Sequence, residues 1–415
     1  MKHTERSLAA RTSRSSRFIA AAAAGLGVAV LAACSATPSS EPAQPGSDAA
    51  APAAHDTRLA VSTPGGVTVL SSGANNGGDF ATIGSLKTDE FTRLNAFGDG
   101  KHLLLSTSQG FEVLDADSAE LTGLVFPATT PGHVVRHDGS TMLFDDGTGH
   151  TTVLATDALL KDDSHAPASR TYEADAPHHG VSIELSDGTL LTTVGTDEGR
   201  TGALALEGHD DHWHEHATSD ECPGIHGEGT ARDEVAVFGC EDGALLFKNG
   251  SFTKLTAPDA FGRMGNAFAA DDSPFVVGDY KNDPDAEGYL LSAVTLIDTA
   301  AETLTVAELP ENVRYTFRDV VRGPEGNAYI LSADGAIHVL DPKTGKIIDS
   351  FDVIAPWEGP ANWQDAHPAI VADGDIAYVT EPATKSIHAV DLATGKTIAS
   401  TTLDGVPNEL AVAVG

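Results

Sequence analysis

From residue 57 onward, apolar side chains fall in runs of about five to eight residues, some alternating with polar ones and some continuous and β-branched. Asp-Gly, Gly-Lys and Pro-containing turns separate the runs, and no long stretch keeps the 3.6-residue spacing of an amphipathic helix. The pattern predicts an all-β domain. One stretch repeats: Ile337-His338-Val339-Leu340-Asp341 through Thr344-Gly345-Lys346 recurs 50 residues later as Ile387-His388-Ala389-Val390-Asp391 through Thr394-Gly395-Lys396. Each copy follows another strand-like run, Asn327 to Ala333 and Asp375 to Thr380. A repeat near this period marks the four-stranded blades of a β-propeller.

Laid along the chain, that template places seven units, beginning near Arg93, Gly132, His178, Gly224, Arg263, Tyr315 and His367. Three strands remain at the front, Arg58 to Ser62, Gly66 to Ser72 and Phe80 to Ser85, and one at the end, Glu409 to Val414. Together they make an eighth blade, in which pairing of the N- and C-terminal strands closes the ring and removes the open sheet edge. Eight four-stranded blades are the expectation and seven the alternative.

Ahead of the propeller, Lys2, Arg6, Arg11, Arg14 and Arg17 precede an apolar run from Phe18 to Ala33 that is short for a membrane span. The run ends in Leu31-Ala32-Ala33-Cys34-Ser35, which resembles the lipobox of bacterial lipoproteins. Residues 1–33 are therefore expected to be a removed signal, and Cys34 the lipidated first residue, holding the protein outside the cytoplasm on the cell membrane. Residues 34–56 then form a Ser-, Ala- and Pro-rich tether, with too few large apolar groups to fold. The propeller domain spans 57–415.

The formal net charge is −35, and removing the basic leader leaves a still more acidic chain. Such a surface repels phosphate backbones, which excludes nucleic acid as a natural partner. It also favours the approach of cations without making a site for one. Cys222 and Cys240 suit a disulfide if the chain is exported; a pair of zinc thiolates is the alternative.

The densest chemical signal is Gly208-His209-Asp210-Asp211-His212-Trp213-His214-Glu215-His216. If it is extended, His212, His214 and His216 share one face, and neutral imidazoles so placed can ligate zinc. The second signal depends on the fold, because the starts of the innermost strands converge on the central channel of a propeller. Histidines stand there in several units: His133 and His137 with Asp138, His178 and His179, His226 with Glu228, and His367. Three or four imidazoles at one mouth would supply the nitrogen set that zinc prefers, with Glu228 and Asp138 placed to orient them. Asp283 to Gly288 lacks the full spacing of a calcium loop and reads as an ordinary solvated turn. No phosphate loop or nucleophile elbow is present, and nothing demands catalysis.

Most of residues 57–415 resembles the AztD-type zinc metallochaperones, extracytoplasmic propellers. The resemblance rests on Pro131-Gly132-His133 with His137-Asp138-Gly139, on His179-Gly180, on Cys222-Pro223-Gly224-Ile225-His226-Gly227-Glu228 and on Phe238-Gly239-Cys240-Glu241-Asp242-Gly243. It implies a protein that holds zinc and hands it to the solute-binding protein of a zinc ABC importer, and it gives His133, His137, His179 and His226 a zinc-related role. His367 stands on geometry alone. One departure is that Ala116 to Thr130 contains no histidine where the family has a His- and Asp-rich stretch, and the tract His209 to His216 is expected to substitute. A non-enzymatic, monomeric zinc protein bound to the membrane only by its lipid is the leading expectation. A surface propeller that binds a protein or glycan without functional metal is the alternative.

Overall fold

The computed structural model describes residues 57–74, 78–209, 212–286 and 288–415. The leader, Cys34 and the tether lie outside the described residues. Eight antiparallel four-stranded sheets follow one another as the blades of a propeller, one of them extended by the short parallel strand Gly262–Arg263. Blade 1 combines Thr57–Thr63, Gly66–Ser72 and Phe80–Lys87 with the last strand, Leu410–Val412, as the leftover strands predicted. The closure pairs Leu59 with Val412, Ala60 with Ala411 and Val61 with Leu410. The inner strands of blades 2 to 8 are Arg93–Ala96, Pro131–His137, Ser182–Glu184, His226–Ala231, Ala267–Phe268, Val320–Arg322 and Ile370–Asp373.

The sequence repeat is a structural one. In both copies the Asp backbone carbonyl accepts a bond of 2.8 Å from the Gly amide, Gly345 to Asp341 and Gly395 to Asp391. In both, the strand before the turn carries a bulge, at Val339/Leu340 and at Ala389/Val390. His338 and His388 are held inside their blades by Asp334 and by Glu381, as blade packing requires.

The apolar core is distributed between neighbouring blades. One cluster joins blades 8 and 1 through Leu59, Tyr378 and Ile387, the next joins blades 1 and 2 through Val69, Leu103 and Leu105, and others continue around the ring. Second strands are covered on both faces: Val235–Cys240 and Ile376–Glu381 are buried throughout, and their apolar positions run on without alternation. Outer strands such as Lys396–Thr402 are largely exposed. Sheet faces stacked on sheet faces thus explain why the runs in the sequence are only partly alternating.

This topology fixes where functional groups can meet. Each inner strand starts at one end of the channel, the mouth, and the chain then runs down, up and down again. Turns between the third and fourth strands therefore lie at the far end. No helix among the described residues is long and apolar enough to cross a membrane.

Candidate metal centre

Three of the predicted histidines converge at the mouth, from three consecutive blades. His133 is the third residue of Pro131–His137, His179 precedes Ser182–Glu184, and His226 opens His226–Ala231. One ligand nitrogen from each lies within 4.8 Å of the other two. Ring centroids are 5.1 Å apart for His133 and His179, 4.9 Å for His133 and His226, and 5.0 Å for His179 and His226.

Local irregularity aims these rings. The register of blade 3 shifts between Pro131 and Val134, and that of blade 5 between His226 and Glu228, so His133 and His226 both stand at bulges. Gly227, at the second bulge, has φ +63°, and a Cβ there would lie 2.5 Å from the Gly265 carbonyl oxygen. Only glycine lets the neighbouring chain come this close. The same carbonyl accepts from His226 Nδ1 at 2.5 Å. Cys222 and Cys240 form a disulfide, which ties the approach to His226 to the second strand of its own blade; the thiolate alternative falls away.

His179 Nδ1 is bound to Asp146 Oδ2 at 2.5 Å, which leaves its Nε2 directed at His226 Nε2, 3.0 Å away. A carbonyl can only accept, so the His226 proton sits on Nδ1 and, in the neutral ring, Nε2 offers a lone pair. When His179 is likewise neutral with its proton toward Asp146, two lone pairs face each other, an arrangement that a cation between them relieves. Burial, followed by the neighbouring His226, His179, Arg93 and Arg200, holds His133 well below the usual imidazole range. Burial also pushes His226 down to about 3. Both rings stay neutral, as metal ligands must.

The cluster opens into a cavity of about 520 Å³ lined by the cations Arg93, Arg200, Arg263 and Lys281 and by the aromatic rings of Tyr289, Phe317 and Trp363. A smaller space of about 210 Å³, shared by His133, Asn95 and Glu228, adjoins it in the channel. Burial lifts the Glu228 carboxyl to about 8.

The remaining predicted residues lie elsewhere. His137 ends its strand about 13 Å from His133, bonded to Glu234 at 2.7 Å and to the Thr230 hydroxyl at 3.2 Å. Asp138, with φ +40°, is in the turn after it, at the opposite end of the strand from the cluster. His178 is buried; its Nδ1 meets the Ala176 carbonyl at 3.0 Å and its Nε2 the Thr193 carbonyl and hydroxyl at 3.1 Å. His367 is buried under Trp357, with Nδ1 donating to the Asp365 carbonyl at 2.7 Å.

The tract lies on the long hairpin of Gly199–His209 and His212–Ser219, the third and fourth strands of blade 4. Asp210, Asp211 and the side chain of His209 lie outside the described residues. The paired strand ends His209 and His212 are at the far end of the ring and the outer edge of the blade, roughly 20 Å or more from the mouth by strand spacing and rise. Tract and mouth are two places. A bulge between Ala205 and Leu206 also interrupts the period-two face at His216, which contacts Glu207 and Phe247.

Sequence reasoning missed Asp146, the Gly265 carbonyl and the cationic wall. A second group, His102, Asp115 and Asp163, also has metal-like spacing. It already holds a cation, because Lys101 Nζ reaches Asp115 at 2.9 Å and Asp163 at 3.4 Å.

No family model matches the chain. A curated relative, the zinc chaperone AztD of Citrobacter koseri, is 25% identical over 311 residues, covering 73% of this chain and 70% of the relative. The resemblance seen in the motifs is thus borne out across most of the propeller. The solved structure of apo AztD from Citrobacter koseri aligns with a TM-score of 0.68 at 21% identity, covering 86% of this chain and 98% of that one. A crystal structure of the same protein gives 0.67. The dihydro-heme d1 dehydrogenase NirN gives 0.59 at 11% identity, a likeness of fold alone.

Proposed function

Proceeding from this kinship with a zinc chaperone, we propose that the chain is an extracytoplasmic zinc-binding chaperone. It holds the ion on His133, His179 and His226 and passes it to the solute-binding protein of a zinc ABC importer. The observation that carries this reading is the pair of imidazole Nε2 atoms 3.0 Å apart, each with its Nδ1 engaged by Asp146 or Gly265. Carboxylate and carbonyl partners on the far nitrogen are the usual orienting contacts of zinc-bound histidines. Ligands about 2.0–2.1 Å from an ion sit about 3.4 Å apart in a tetrahedron, so modest opening of the cluster admits zinc.

Three imidazoles leave the fourth position facing the open cavity. A closed structural site has no such vacancy. His179, with 44% of its side chain exposed, is the ligand an incoming protein reaches first. Exchange of imidazoles one at a time would move the ion without releasing it to water. The leader and Cys34 support a place on the outer side of the cell membrane.

The test is zinc competition against a calibrated chromophoric chelator, using the form that begins after Cys34. Wild type is expected to bind with submicromolar or tighter affinity, and the variant with His133, His179 and His226 changed to Ala to lose that site. Equal weak binding by both would sink the proposal.

A further inference from the structure

The three imidazoles stand among unexpected charges for a cation site. The chain carries 25 Lys and Arg against 60 Asp and Glu, yet the mouth is lined by Arg93, Arg200, Arg263 and Lys281, with Asp279 the acid in its wall. Asp279 is committed elsewhere: Oδ1 accepts from the amides of Gly265 and Asn266 at 2.5 and 3.0 Å, and Oδ2 from the Asn266 side chain at 2.7 Å. Arg93 is partly compensated, lying 3.8 Å from Glu409 and over the Trp363 ring.

The other three cations have no carboxylate in contact among the described residues, although Glu241 and Asp146 act on Arg200, and Asp279 on Arg263, from a longer range. Arg200 donates to the His179 carbonyl at 3.5 Å and Lys281 to the Ala286 carbonyl at 3.2 Å. Among the described residues no carboxylate makes ion-pair contact with Arg200, Arg263 or Lys281. Adding a dication to three neutral imidazoles beside these groups concentrates positive charge in a partly desolvated space. The fourth coordination position opens into that same space, so one anion could meet both needs.

We infer that a carboxylate from outside the chain enters the mouth, pairs with Arg200 and Arg263, and supplies the fourth donor to the ion held by His133, His179 and His226. The inference rests on the zinc reading above and names the chemistry of what the site receives. A carboxylate fits because a guanidinium pairs with its two oxygens side by side and zinc accepts the same oxygens. The apolar wall of Tyr289, Phe317 and Trp363, and a volume of about 520 Å³, suit an anion that carries carbon rather than a bare halide. The source is either a free organic acid or an Asp or Glu side chain of an approaching protein.

Cobalt(II) substitution reads the fourth ligand through its d–d absorption, and chelator competition reads zinc affinity. In wild type, propionate or a short peptide with a single Asp is expected to shift the cobalt bands and tighten zinc about tenfold. In R200Q/R263Q the metal still binds, but both responses disappear; R200K/R263K, which keeps the charge and loses the fork, responds weakly. Response to propionate identifies a free acid as sufficient, and response to the peptide alone identifies a protein side chain. Spectra and affinity indifferent to carboxylate in wild type, or an equal response in R200Q/R263Q, would overturn the inference while leaving the zinc reading intact. A wild type that binds neither metal overturns both.

Discussion

Asp146 Oδ2 accepts from His179 Nδ1 at 2.5 Å, and its Oδ1 occupies the spot, 2.2 Å away, that a Cβ on Gly132 would need. The glycine before His133 therefore makes room for the carboxylate that orients His179, coupling two candidate ligands from adjacent blades. Asp146→Asn is expected to weaken zinc binding about 10- to 100-fold, the usual cost of losing such a partner. Chelator competition checks it, with the thermal midpoint of the apoprotein close to wild type.

Changing His212, His214 and His216 together to Ala should leave the tight site at the mouth unaltered, because groups this far apart without shared partners act independently. Calorimetric titration with zinc should lose only weaker binding. A drop in the tight component would mean that the hairpin and the mouth communicate.

Loss of the Cys222–Cys240 bridge, by C222A/C240A, is expected to destabilise the protein by about 3 kcal/mol. Since the bridge anchors the segment entering His226, zinc affinity should fall as well. Urea denaturation with and without zinc separates the two effects.

Arg318 and Glu409 form a buried ion pair of 3.1 Å beside the closing strand, each with 8% of its side chain exposed. Glu409→Gln removes the charge partner of a buried guanidinium that keeps its bonds to Asn408 and the Trp363 carbonyl, and a loss of about 3 kcal/mol is expected. Equilibrium unfolding in urea would show the midpoint moving down; an unchanged midpoint contradicts the assignment.

Burial, then the charge of Arg318, pushes His367 down to about 4, against an ordinary value of 6.5. Between those values the unfolded chain binds a proton that the folded one refuses, so this group's contribution is lost as pH falls from 6.5 toward 4. His367→Gln should flatten that part of the stability profile relative to wild type, as read by thermal midpoints across the range.

The architecture was legible because the repeat around Asp341 and Asp391 fixed the blade period and because the orphan strands at both ends had one place to go. The three mouth histidines were legible for the same reason: strand starts converge. Their neighbours of the same type misled because direction is set by bulges and ring contacts that leave no mark in composition. His178 stands next to His179, yet is turned into the blade by Thr193. Asp146 was hidden in an ordinary blade turn, where Asp145 does the turn bonding, taking the Thr129 and Thr130 amides, while its neighbour faces the site. The Gly265 carbonyl has no side-chain signature at all. The tract misled in another way, since local density of histidine says nothing about which end of a ring it occupies.

The strand Leu410–Val412 that completes blade 1 also sets a schedule for assembly. His133, His179 and His226 come from consecutive blades and need only neighbouring contacts, so the histidine triangle can form while the ring is still an open arc. Ring completion must wait for Leu410–Val412, made after the strands of every other blade, to find Leu59, Ala60 and Val61 near the start of the domain. Until then both flanks of the arc present unpaired backbone, the state most prone to edge-to-edge aggregation. A chain lacking Leu410–Val412 would carry the complete triangle on a body that cannot close.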